Sequence, residues 1–233
     1  MENIMKKKPV EHNLPDSQDE KPLRLQAYES FTQQILSGNI RPGQFLSQRE
    51  LMQLTDMPLG AIREMVPRLE AEGLIKTVPN RGLQVCYVDL KLVRNAFQLR
   101  LTLEREAVVQ FTRNVSDADL EKIEAAHKDI VKRAKSRSID SQLLTDAQAV
   151  DGGLHEMMID SLGNEIISEI YRVNSLRIRL IRLENTILTS EGLLPSMTEH
   201  LELIAAIKTR DVDQALAALN THIEVARSRM LAD

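Results

Sequence analysis

Asp151 and His155 stand four residues apart, a spacing that sets a carboxylate and an imidazole on one face of a helix. His200 shares an apolar stripe with Met197, Ile204 and Ile207, and His222 shares one with Leu219, Ala226 and Met230. Three of the five histidines thus fall on the inward stripes of three separate helices. Any one of them alone reads as a core histidine satisfied by its neighbours. Burying three unpaired imidazoles and a carboxylate together is costly, and one divalent ion relieves that cost for all four. An Asp with three His suits Zn, Ni or Mn, and in a bundle such ligands come from facing helices.

Other candidates surround this set. Arg100 lies on an inward stripe with Val93, Phe97 and Ala107, and Glu104 follows one turn later. It reads either as half of a buried ion pair or as a guanidinium fork for a ligand carboxylate. Asn174 and Arg177 interrupt the Ile170–Ile181 stripe and are further effector-binding candidates, while Arg172, Arg179 and Arg182 read as solvated or inter-subunit charges. His127 shares a stripe with Leu120, Ile123, Ile130 and Ala134 and reads as structural. Gly152-Gly153 inside the ligand helix is either a tolerated weak spot or room for a ligand, each Gly costing about 1 kcal/mol relative to Ala. His155-Glu156 begins like a metalloprotease helix, but position 159 is Ile and the second zinc histidine is missing. No compelling nucleophile-and-base arrangement accompanies it, so the expectation is a protein that is not an enzyme.

The elements that must position these groups read as mainly α. Residues 1–22 are polar, with a lysine run and then an acidic stretch, and read as a disordered tail. Residues 23–88 read as a winged helix-turn-helix. Tyr28, Phe31 and Ile35 mark a helix that stops at Gly38; Ser47-Gln48-Arg49-Glu50 is a capping box for a short second helix; Ile62, Val66 and Leu69 mark a third, started by Pro58. Leu74–Val78 and Leu83–Val88 alternate and are joined by Pro79-Asn80-Arg81-Gly82, a two-stranded wing. The third helix is expected in the major groove and the wing tip on the backbone or minor groove, with Arg49, Leu59, Gly60, Arg63, Asn80, Arg81 and Gly82 on the DNA side. Residues 89–233 read as an antiparallel all-helical bundle of about six helices, at 89–113, 116–136, 141–162, 164–188, 195–209 and 211–231.

The totals agree with this division. Hydrophobic residues make up 42%, aromatics only 3%, and tryptophan is absent, which favours packed helices. Net charge is −4, yet residues 23–88 hold seven Lys/Arg against six Asp/Glu, so any DNA contact depends on where the basic groups are placed. No stretch approaches a membrane span, and the single Cys86 excludes an internal disulfide or a multi-thiolate metal site. A cytoplasmic location is expected.

Two sets of residues resemble the GntR superfamily, in its FadR branch with the helical FCD sensor domain. The first runs from Gly38-Asn39-Ile40-Arg41-Pro42-Gly43 through Leu46 and Glu50-Leu51 to Ile62-Arg63-Glu64, Arg68–Ile75 and Asn80–Val85. The second is Asp151-Gly152-Gly153-Leu154-His155 with His200 and His222, which is similar to the FCD pattern Asp-x-x-Phe-His followed by two later histidines, with Leu154 replacing Phe. The sensor's six helices resemble the VanR-like subgroup. The resemblance implies a homodimeric repressor on a palindromic operator, with the metal's remaining positions taken by water or by a small organic-acid effector's carboxylate. Arg100 is similar to the Arg of the family's Leu-Arg-x-x-Leu-Glu stretch. The chain departs from the family at the third helix, where Pro58-Leu59-Gly60-Ala61-Ile62-Arg63-Glu64 replaces Ser-Arg-x-Pro-Val-Arg-Glu. Leu59 offers a base only apolar contact, so a relative's operator cannot be carried over. The competing reading is a metal-dependent enzyme of organic-acid metabolism with an accessory DNA- or partner-binding domain.

Overall fold

A computed structural model of the chain describes residues 21–136, 139–184 and 190–231, without the side chains of 190 and 191. The expected tail at 1–22 and the end of the helix expected to 188 therefore lie largely outside the described residues.

The chain begins with α1 (Leu23–Leu36), which buries Ala27, Phe31 and Ile35. Tyr28 is only half-buried; its hydroxyl donates to Glu72 at 2.7 Å and its ring lies 3.7 Å from the Arg68 guanidinium. A two-residue strand, β1 (Phe45–Leu46), precedes α2 (Gln48–Thr55). The capping box forms in full: the Ser47 hydroxyl accepts from the Glu50 amide at 3.1 Å, and Glu50 accepts from the Ser47 amide at 2.7 Å. Helix α3 (Leu59–Ala71) follows Pro58 and continues through Pro67, burying Ala61, Ile62, Met65 and Leu69. Strands β2 (Ile75–Val78) and β3 (Gly82–Val85) form the wing, and β1 adds to it antiparallel in the order β1-β3-β2. The sheet thus has three strands where two were expected, because a two-residue strand is too short to show alternation. Gly82 explains the join: at φ +93, a Cβ there would stand 2.8 Å from the Leu46 carbonyl oxygen.

The remainder is helical: α4 (Leu90–Asn114), α5 (Asp117–Ser136), α6 (Ser141–Asp160), α7 (Glu165–Glu184), α8 (Ser190–Lys208) and α9 (Val212–Arg229). Side-chain caps start several of them, with Asp89, Ser116, Asp140 and Asp211 each accepting from backbone amides of the first turn. Helix α8 begins five residues before the expected 195. Pro195 lies in its second turn, where the missing N–H forfeits one backbone bond without ending the helix. No helix among the described residues is long and apolar enough to cross a membrane.

Helix α7 belongs to two cores at once. Tyr171, Ile178 and Ile181 join the bundle interior, while Leu176 and Leu180 complete the apolar core under α1, α3 and the wing. Two guanidinium groups reinforce this second face. Arg177 donates to the Glu72 carbonyl at the end of α3, and Arg179 Nε donates to the Leu36 carbonyl at the end of α1, 2.9 Å away. Both satisfy helix-terminal carbonyls that lack an intrahelical partner.

Candidate metal centre and DNA-binding face

His155 on α6, His200 on α8 and His222 on α9 meet in the bundle interior, all essentially buried. The Nε2 atom of His200 lies 3.2 Å from that of His155 and 3.2 Å from that of His222. Asp151 Oδ1 is 3.7 Å from the same His200 nitrogen. Ligand atoms about 2.0–2.1 Å from one tetrahedral ion are about 3.3 Å apart, so these separations fit a shared cation.

Each ring is set by a partner on its far side. His155 Nδ1–H donates to Glu104 Oε2 at 2.8 Å, and His222 Nδ1–H donates to Glu199 Oε2 at 3.2 Å. His127 Nδ1–H donates to the Ile123 carbonyl at 2.8 Å, which leaves its Nε2 bare to accept from His200 Nδ1–H at 3.1 Å. All three ligand candidates therefore carry their proton on Nδ1 and turn an Nε2 lone pair inward. Burial holds His155, His200 and His222 below the ordinary imidazole value, with neighbouring cationic or imidazole groups adding to it. Burial pushes the Asp151 carboxyl up, but the Arg182 guanidinium, at 2.6 Å, and the neighbouring histidines outweigh it and hold it well down. Neutral imidazoles and an ionised carboxylate are the forms a metal takes. The Nε2 atoms of His155, His200 and His222 converge in a buried interior, with only Arg100 donating to one of them, so the donor set fits a divalent ion.

His127 thus has a positional role beyond the structural one expected for it: it orients His200. Its place on an inward stripe was visible in sequence, but its bond to a second imidazole was not. Glu199 gave no signal at all, since it adjoins His200 in the chain yet faces His222 and Arg229.

Arg100 and Glu104 are buried together. Glu104 accepts from Arg100 Nε at 2.7 Å, from Tyr171 at 2.5 Å and from His155, so both halves of the ion pair are held. Burial raises the Glu104 carboxyl, and Arg100 and His155 more than reverse that. One Arg100 nitrogen, Nη2, remains aimed at His155 Nε2, 2.5 Å away. The ion pair therefore does not use up the fork.

A cleft of about 430 Å³ opens beside this centre, between α6, α7 and the end of α1. Arg100, Asp151, His155, Asn174, Arg179 and Arg182 contribute to its lining. Gly152 and Gly153 line it too, and a Cβ at either would meet nothing within 4 Å. Asn174 reaches the cleft while donating to the Ala96 carbonyl at 2.9 Å. Arg177, an effector candidate in the sequence, is instead directed away to the Glu72 carbonyl and does not line the cleft. Arg179 and Arg182, expected as solvated or inter-subunit charges, point inward; only Arg172 is exposed, on Asp160. A helix pressed between two cores has two buried faces, and a single apolar stripe marks only one.

At the other end of the molecule, Arg49, Gly60, Arg63, Asn80 and Arg81 are exposed and Leu59 and Gly82 are partly so. Arg63 Nε donates to Gln48 at 3.3 Å, and the Arg81 guanidinium lies 4.0 Å from the Phe45 ring centroid. Asn80 takes the left-handed conformation at the wing tip, φ 61.

Residues 23–85 match the gntR family of bacterial regulatory proteins, and residues 95–225 match the FCD domain. The chain belongs to the GntR family. It is a transcriptional regulator of the GntR type with an FCD domain, not an enzyme. It is 23% identical over 203 residues to the HTH-type transcriptional repressor GlaR of Escherichia coli K12, covering 85% of this chain and 91% of that protein. Against the uncharacterized HTH-type regulator YdhC of Bacillus subtilis 168 it is 23% identical over 149 residues, which span 64% of this chain and 65% of YdhC. The solved structure of E. coli McbR/YncC has the same fold, with a TM-score of 0.78 at 17% identity, covering 91% of this chain and 98% of that one.

Proposed function

We propose that this GntR-family regulator is a cytoplasmic repressor whose hold on a palindromic operator is controlled by a small carboxylate effector bound at a divalent metal ion. The observation that carries the reading is the convergence of three outward-anchored imidazoles, each with a lone pair facing its neighbours beside an ionised Asp151. Asp151, His155, His200 and His222 would hold the ion, with zinc the first choice and nickel or manganese compatible with the same donors. When bound, the cation supplies a Lewis-acidic anchor for an effector carboxylate. Arg100 then stands ready at the ligand end of the cleft: its Nη2 donor, now on His155, turns to the carboxylate once that lone pair is committed elsewhere. The open space over Gly152 and Gly153 supports their reading as room for the ligand.

On the DNA side the reading keeps two-fold symmetry, with one third helix per half-site of a homodimer. Arg63 and Arg49 reach bases or phosphates, Leu59 and Gly60 offer close apolar approach, and Asn80 and Arg81 carry the wing to the backbone. Gly82 serves this indirectly, by letting the wing lie against β1. Coupling between the two ends runs through α7, which shares a side chain with the Asp151 ion pair and packs under the DNA-binding helices.

Titrating organic acids against a complex of the zinc-loaded protein with selected operator DNA tests this. At least one acid is expected to release the DNA, and to fail after His200→Ala. Metal-bound acid with unchanged DNA affinity would sink the control mechanism.

A further inference from the structure

The described residues contain two buried side-chain polar atoms with no hydrogen-bond partner: Thr112 Oγ1 and Arg179 Nη1. Thr112 is away from the cleft, but Arg179 lines it while only 8% exposed. Its Nε is committed to the Leu36 carbonyl, so the guanidinium is fixed in place with a donor to spare. Burial and the nearby Arg182 lower its pKa to about 10, which leaves it cationic at neutral pH. A buried guanidinium nitrogen without an acceptor is costly, and a ligand anion is the natural remedy.

The charges around the cleft give the same answer. Arg100, Arg179 and Arg182 line it together with Asp151 and Glu156, and Glu104 stands directly behind Arg100. Three guanidinium groups against three carboxyls balance. A divalent ion on the histidines then leaves two positive charges uncompensated. One belongs to the metal end, beside Arg100. The other falls to Arg179, on the stretch of wall formed with Gln33, Leu36 and Ser37 of the DNA-binding region.

We propose that the effector is a dianion, such as a dicarboxylate, with one carboxylate at the metal and Arg100 and the second anionic group on Arg179. The inference rests on the metal-anchored effector reading and names its ligand class. Its consequence is regulatory: the distal anion pulls on a side chain of α7 that both lines the cleft and holds the end of α1. A monoanion fills the metal end and leaves Arg179 unengaged.

Calorimetry on the zinc-loaded full chain tests this with succinate, glutarate and adipate against butyrate, pentanoate and hexanoate. At least one diacid is expected to bind about tenfold or more tighter than its length-matched monoacid. Arg179→Gln should reduce that ratio to about twofold or less by costing the diacid more than the monoacid, while Arg179→Lys keeps part of it. A thermal melt of each variant shows that it is folded. Equal affinities for diacid and monoacid in the natural protein overturn the proposal, as does an equal loss of both in Arg179→Gln. Affinities for both acids that persist unchanged in His200→Ala overturn the metal anchor instead, while the Arg179→Gln ratio still decides the distal site. No binding of any of the six acids overturns both.

Discussion

The DNA-binding face and the histidine centre use polar residues in opposite ways. On the face, Arg49, Arg63 and Arg81 are exposed and lightly engaged, one by a long bond to Gln48 and one by a ring contact with Phe45, while an apolar core beneath them holds the fold. In the centre, Glu104 alone accepts from three buried side chains, and His155, His200 and His222 are each held at Nδ1 by a partner on the far side of the ring. The difference teaches where function and stability are separable. Residues on the face wait for a partner outside the molecule and support little within it. Residues in the centre hold the fold and, on our proposal, the ligand as well, because a buried polar group must be satisfied whether or not the ligand is there.

That contrast can be broken by mutation. Glu104→Ala strands Arg100, Tyr171 and His155 together, and chemical denaturation should show a loss of about 3–5 kcal/mol. A loss below 1 kcal/mol would mean the centre is not a structural keystone. Zinc at about a hundred times its dissociation constant should stabilise the natural protein by about 2.7 kcal/mol. His222→Ala should show no such gain in the same melting experiment, and an unchanged gain would place the metal elsewhere. On the face, Arg63→Ala should weaken operator binding by about 1–3 kcal/mol while stability stays within about 0.5 kcal/mol. Loss of stability comparable to the loss of binding would erase the contrast between the regions. The smallest effect sharpens it: Gly152→Ala should stabilise the protein by about 0.5–1 kcal/mol, since helix propensity improves and its Cβ meets nothing. The same change should weaken effector binding by filling the cleft. A stabilised variant with undiminished affinity would make the glycine pair a mere weak spot.

The two regions were also unequally legible. The winged helix announced itself through local chemistry: a capping box at Ser47–Glu50, a proline before α3, a turn between two alternating runs. Only β1 escaped, and it becomes a strand solely because β3 lies beside it. In the bundle, the stripes that carry His155, His200 and His222 were readable because helical periodicity predicts which side faces in. What periodicity cannot supply is the partner across the gap. Nothing in the chain links His127 to His200 over 73 positions, or Glu199 to His222 over 23. Helix α7 misled for a related reason. Arg177 looked like an intruder on a stripe and Arg179 like a surface charge, whereas a helix with two buried faces gives each of them a carbonyl to hold.

Asp151, His155, His200 and His222 are proposed to hold one divalent ion. Metal analysis of the full chain after zinc loading and exhaustive dialysis tests it most directly, with His200→Ala and His222→Ala prepared alongside. The natural protein is predicted to retain one zinc per chain and each variant to lose it. A natural protein that retains none, or variants that retain as much as it does, would contradict the account.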